Sequence, residues 1–214
     1  WYDAYRDRGL EVIGVHTPEF PFEHNLENVR RAVQQMRIEY PVVIDNDYAV
    51  WGAFTNRYWP AAYFVDAHGA IRHHHFGEGE YERSERVIQE LLAEAGAGHV
   101  DLALVSDEGV GDEAEADWRH LGTPETYLGY ERADSFASPG GAAPNHRRDY
   151  TAPAELRRNH WALAGSWTIR PGSAELHEAG GRIAFRFRAR DLHFVMGPAT
   201  AEAPVRFRVT IDGE

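Results

Sequence analysis

Cysteine and lysine are both absent from this sequence of 214 residues. Without cysteine there is no disulfide framework, no thiolate metal site and no thiol catalysis within these residues. Without lysine every basic residue is arginine. With abundant Ala and Gly, this is explained more simply by a GC-rich coding sequence than by chemistry, although an acidic, lysine-free surface also suits high salt. Long apolar runs are missing too, and none approaches the roughly 18 residues a membrane helix needs. Positive charge is scarce: 34 acidic residues face 22 basic ones, for a formal charge of −12. Such a chain has no electrostatic reason to bind nucleic acid, whose phosphates reward clustered basic side chains.

What is present describes a globular protein, 43% hydrophobic and 26% charged, long enough for two modest cores. Trp1 to Arg6 reads as the tail of a helix already under way, and Gly213 and Glu214 follow a strand-like run. Neither an initiator Met nor a signal-peptide pattern is seen. The sequence is therefore expected to be a piece of a longer protein.

Leu10 to Val15 is a short apolar, β-branched run entered through Gly9, a helix-to-strand signature. From Asn25 to Ile38 the apolar positions Leu26, Val29, Ala32, Val33 and Met36 fall at helical spacing, and Tyr40-Pro41 stops the pattern. Val42 to Ile44 reads as a buried strand followed by the turn Asp45-Asn46-Asp47, and Tyr48 to Phe54 as a short helix. Ala61 to Val65 and Ala70 to Phe76 form a hairpin around Asp66-Ala67-His68-Gly69. Tyr81 to Ala95 places Val87, Ile88, Leu91 and Leu92 on one helix face. Alternation of this kind specifies a sheet with helices packed on it, an α/β domain over residues 1–96.

Residues 97–122 hold Gly, Ala and a run of acids, which predicts a solvated acidic linker. Beyond it, Leu163 to Ile169, Arg182 to Arg188, Leu192 to Met196 and Val205 to Ile211 alternate apolar and polar residues. In the clearest case Ile183, Phe185 and Phe187 share one face and arginines the other. Residues 123–214 are expected to be all-β, a jelly-roll-like sandwich incomplete at its C-terminal end.

GLEVIGVHTPEF at 9–20, YPVVIDND at 40–47 and RYWPAAYFVDAHGAIRHHHFGEG at 57–79 carry a resemblance. They are similar to the thioredoxin-like superfamily, in the branch of thiol-disulfide oxidoreductases and peroxiredoxin-like proteins. TPETYLGYERADSF at 123–136 and LRRNHWALAGSWTI at 156–169 extend the likeness to the C-terminal part of DipZ-type proteins of cytochrome c biogenesis. There a thioredoxin-like domain precedes a β-sandwich resembling a carbohydrate-binding module.

The resemblance implies a Cys-x-x-Cys pair upstream of Trp1, so no catalytic residue lies within this sequence. It also implies an extracytoplasmic protein tethered to the membrane through preceding segments. Its partners would be a thiol or disulfide protein substrate and a CcdA-like membrane electron-transfer domain on the same polypeptide. No cofactor is implied. Pro60 resembles the family's cis-proline, and with Tyr58, Trp59, Glu19 and Glu78 it would face the thiols and bind substrate. The alternatives are a trans proline that begins a strand, core aromatics and solvated loop acids.

His73, His74 and His75 do not read as a metal site, because strand alternation sends His74 to the opposite face. In the second region the resemblance to a carbohydrate-binding module implies Tyr127, Tyr130, Trp161 and Trp167 as platforms for sugar rings, with core packing as the alternative reading. Two rival functions stay open: a non-catalytic binding module for a cell-wall glycan or protein partner, and peroxide reduction of the peroxiredoxin-like kind.

Overall fold

In the computed structural model the chain divides into two compact units, Trp1–Asp107 with Gly197–Glu214, and Glu108–Met196. The structure describes residues 1–105, 117–198, 200 and 203–212. None of the described helices is long and apolar enough to cross a membrane.

The first unit runs α1 (Tyr2–Tyr5), β1 (Gly14–His16), α2 (Leu26–Gln35), β2 (Val42–Ile44), α3 (Ala49–Ala53), β3 (Ala61–Val65), β4 (Ile71–Phe76) and α4 (Tyr81–Glu94). This is the helix and strand order that the sequence pattern predicts. β1 and β2 pair in parallel with Val15 opposite Val43, and β3 and β4 pair antiparallel with Tyr63 opposite His74. β1 is shorter than the apolar run Leu10 to Val15 and shifted toward its C-terminal end. A strand persists only where its backbone finds a partner, and β2 offers three residues before Asp45 ends it.

Local chemistry sets the element ends. The Asn25 side chain accepts from the Glu27 N–H at 2.9 Å and caps α2. At the hairpin tip the Asp66 carboxylate accepts from His68 N and Ala70 N, both at 2.9 Å. The Ala70 N–H, assisted by His68 and Arg72, outweighs burial and holds the Asp66 carboxyl below the usual carboxylate range.

The core of this unit gathers Tyr5, Phe64, Ile88, Leu92 and Val100. Residues 97–105, expected to belong to the linker, are part of this packing: Val100 is buried and Ala97 lies against the cluster. A buried carboxylate, Glu85, ties the segment down. It accepts from Trp1 Nε1 at 3.0 Å, from the Tyr5 hydroxyl at 2.6 Å and from the Val105 N–H at 2.9 Å. Burial, and then donation to Glu85, raise the Tyr5 hydroxyl above the ordinary tyrosine range, so it remains a protonated donor. Of the expected linker, residues 106–116 lie outside the described residues.

The second unit has no helix among its described residues. Its strands are β5 (Arg147–Tyr150), β6 (Trp161–Ile169), β7 (Ala174–Leu176) and β8 (Arg182–Phe185). β6 is central: Trp167 pairs with Arg148 of β5 on one side and Leu176 of β7 on the other, while Trp161 pairs with Phe185 of β8. All three pairings are antiparallel. Trp161, Leu163, Trp167 and Ile169 alternate onto one face and form the core with Tyr150. Gly165, mid-strand at φ +99°, needs to be glycine, because a Cβ there would stand 3.0 Å from the Gly181 backbone.

Leu192 to Met196 and Val205 to Ile211, expected as strands, are not strands. Val205, Phe207, Val209 and Ile211 are 64% to 71% exposed. Alternation prescribes which side chains share a face, but it forms no strand until the backbone groups are paired.

Two substitutions test these cores. Leu163→Ala should cost about 2–5 kcal/mol in the second unit, seen as faster hydrogen exchange over residues 161–169. Tyr5→Phe leaves Glu85 one donor short and the Gln89 amide with only the longer of its two acceptors, the Ala103 carbonyl. It should lower stability by about 1–3 kcal/mol in urea denaturation.

Candidate functional site

The site of interest lies where β1 ends and β3 begins. The chain leaves β1 at His16 and turns through Thr17, Pro18 and Glu19. Asp45, the first residue after β2, is 1% exposed and organises this turn. Its N–H donates to the His16 carbonyl at 2.9 Å. Its carboxylate accepts from the Thr17 hydroxyl at 3.0 Å, Val50 N at 2.8 Å and Trp51 N at 2.9 Å. Burial would push this carboxyl up. Bonds from the Trp51 and Val50 amides, the Thr17 hydroxyl and the Ala49 amide outweigh it and hold the group below the usual range.

One carboxylate therefore joins the β1 exit to the start of α3. From α3, Trp51 packs against Trp59 with ring centroids 4.1 Å apart, and Trp59 Nε1 donates to the Thr17 carbonyl at 3.0 Å. The Tyr48 hydroxyl donates to the neighbouring Pro18 carbonyl. The Trp59–Pro60 peptide bond is cis. The returning strand closes the rim, with Gly77 N donating to the Pro60 carbonyl at 2.9 Å. The Tyr58 and Phe76 rings meet at 5.1 Å. Tyr58, Trp59 and Phe76 are 55%, 41% and 37% exposed, so an aromatic surface beside Pro60 is open to a partner.

Tyr58, Trp59 and Pro60 are thus brought together with the turn after β1. The two acids sit differently. Glu19 is half-buried, and its N–H and that of Phe20 donate to the Glu23 carboxylate at 2.6 and 3.0 Å. Glu78 is exposed and accepts from the Tyr81 hydroxyl at 2.5 Å. His73 and His75 pair with Phe64 and Ala62, while His74 pairs with Tyr63 and contacts Phe76, its ring centroid 4.7 Å away. Among the described residues no group of three His, Cys, Asp or Glu is placed to hold a metal.

In the second unit the four aromatic candidates separate. Trp161 and Trp167 are 1% and 6% exposed core residues whose indole N–H groups donate to the Asp134 and Ala164 carbonyls. A sugar platform needs an open ring face, so that role does not suit these two tryptophans. Tyr127 and Tyr130 are half-buried. Arg132 stands 3.6 Å above the Tyr127 ring, and the Tyr130 hydroxyl accepts from Asn145.

In the sequence Asp45 reads as a turn residue, and its organising role, with the parts played by Thr17 and Trp51, is visible only in the tertiary contacts. A faint signal was present. An aspartate directly after a buried strand and just before a helix is placed to bind that helix's free N–H groups.

Several known proteins are similar to this chain in sequence. Residues 123–214 match the family described as thioredoxin like C-terminal domain. The chain is 39% identical over 197 residues to Protein DipZ of Mycobacterium bovis and of Mycobacterium tuberculosis, which is 92% of this chain and 28% of those proteins. It is 32% identical over 92 residues to the thiol-disulfide oxidoreductase YkuV of Bacillus subtilis, covering 43% of this chain and 62% of that one. A solved thioredoxin-like protein in its oxidized form aligns at 31% identity and a TM-score of 0.40, over 44% of this chain and 62% of that one. Over its matched residues the chain is similar in sequence to thiol-disulfide oxidoreductases of the thioredoxin-like kind. The chain as a whole resembles the C-terminal part of DipZ-type proteins and spans little more than a quarter of the length of the DipZ relatives.

Asp45→Asn replaces one acceptor with a donor facing the Thr17, Val50 and Trp51 donors. The expected result is faster exchange of the Val50 and Trp51 amides and a lower unfolding midpoint at neutral pH. The sign of the pH dependence follows from the depressed carboxyl. Its contribution is complete above the unfolded value of about 3.9 and is lost as pH falls through the lower folded value, so the variant should lose that part of the acid limb.

Proposed function

We propose that these residues are the substrate-docking part of an extracytoplasmic thiol-disulfide oxidoreductase, membrane-tethered, whose Cys-x-x-Cys pair precedes Trp1. The bond from Trp59 Nε1 to the Thr17 carbonyl carries the reading, because it gathers the β1 exit and the approach to Pro60 on one rim. The similarity to DipZ and YkuV supports it.

In this reading a thiolate attacks one sulfur of a substrate disulfide, and the other leaves as a thiolate. The resolving cysteine then breaks the mixed disulfide, so the substrate departs as a dithiol and the enzyme pair is oxidised. A CcdA-like membrane domain on the same polypeptide returns two electrons. Tyr58, Trp59 and Pro60 hold the substrate chain. Glu19 and Glu78 add negative charge near the thiols, and a carboxylate raises the pKa of a neighbouring thiol.

For residues 123–214, which include all the strands of the second unit, we propose a carbohydrate-binding-module-like β-sandwich joined by an acidic linker. The antiparallel strands around β6 favour this, and glycan binding is its expected role. Tyr127 and Tyr130 remain its aromatic candidates.

The longer protein containing these residues should reduce insulin disulfides when supplied with electrons. Tyr58→Ala should raise KM about three- to tenfold with kcat within about twofold, since the exposed ring contacts Phe76 and supports no core. A parent protein without an upstream Cys-x-x-Cys, or one that turns over peroxide and no disulfide, would overturn the proposal.

A further inference from the structure

In the second unit Arg147, Arg170 and Arg190 are ion-paired with Glu178, Glu175 and Asp191. Five of the remaining arginines stand out. Arg157, Arg158, Arg182, Arg186 and Arg188 are exposed and form no ion pair among the described residues, in a chain of formal charge −12.

Their placement follows from strand alternation. Ile183 and Phe185 pack against the core of β6, and Phe187 stacks on Phe185 with centroids 5.6 Å apart. Arg182, within β8, consequently takes the opposite side, and Arg186 and Arg188, which follow β8 and flank Phe187, continue the alternation that the Phe187–Phe185 stacking shows. In extended chain, residues four apart stand roughly 13 Å from each other, so the guanidinium groups form a line instead of a knot.

The turn carrying Arg157 and Arg158 is fastened to the same stripe. Asn159, at φ +67°, donates its N–H to the Arg186 carbonyl at 2.7 Å, and Arg186 N donates to the His160 carbonyl at 3.1 Å. The Thr123 hydroxyl donates to the Asn159 side chain at 2.7 Å and accepts from Arg188 N at 2.7 Å. Arg186 Nη1 holds the Leu156 carbonyl at 2.8 Å. This backbone is braced on both sides, so little ordering entropy is left to be lost when a ligand binds.

With both tryptophan rings closed in the core, ring stacking on Trp161 and Trp167 is unavailable, and the exposed chemistry on this side is cationic. A guanidinium fork matches a carboxylate bidentately. Resting on the reading of the second unit as a glycan-binding module, we propose that it takes an acidic polysaccharide. Its uronate carboxylates would pair with the stripe formed by Arg182, Arg186 and Arg188 and the Arg157–Arg158 turn.

The test uses the full 214-residue chain in affinity electrophoresis against polygalacturonate, dextran and polyglutamate. Retardation by polygalacturonate alone is expected, and it should fade between about 50 and 300 mM salt. R157Q/R158Q alters two side chains that support nothing else and should weaken binding several-fold. Adding R182Q should weaken it about tenfold or more, with an unchanged circular dichroism spectrum. Absence of polygalacturonate binding, or full binding by R157Q/R158Q, overturns the proposal. Equal binding to dextran overturns it while sparing the glycan reading. Binding to polyglutamate without any polysaccharide overturns both.

Discussion

The candidate site depends on one buried carboxylate. Asp45 collects the Thr17 hydroxyl and two α3 amides while its own N–H holds the His16 carbonyl. A carboxylate removed from water survives only if donors replace its hydration, and here four polar groups from two segments converge to do so. The β1 exit is thereby fixed to α3, α3 presents Trp51, Trp51 supports Trp59, and Trp59 closes the circuit at Thr17. Trp59, exposed beside Pro60, takes its position from that loop of contacts.

Glu85 plays a corresponding part elsewhere in the first unit. It satisfies its lone pairs with an indole, a phenol and a backbone amide drawn from α1 and from the segment after α4. The two acids show the same economy: a buried charge is tolerable when it draws donors from segments distant in sequence, and in doing so it defines where those segments meet. The stretch to Val105 is held by this bonding and by Val100 in the core.

The second unit shows how residue type alone misleads. Tryptophan is the favoured platform for a sugar ring, yet Trp161 and Trp167 occupy the inward face of the central strand, where burying a large ring contributes most to the core. The outward chemistry falls to arginine. This division follows from the period of two in β8 and from the fact that β6 is covered along both edges.

By itself the sequence determined the order of helices and strands in the first unit, the hairpin at Asp66 and the inward and outward faces of β8. These are local matters of periodicity and turn chemistry, and each is written in a few consecutive residues. It also determined that no thiol chemistry occurs within these residues. Tertiary structure decided the rest. It selected Asp45 over the neighbouring acids, sent Trp161 and Trp167 inward, extended the first core to Val100, and left Leu192 to Met196 and Val205 to Ile211 outside any strand. The reason is physical: burial, pairing and hydrogen-bond satisfaction depend on what arrives from far along the chain, and local pattern carries no record of the partner.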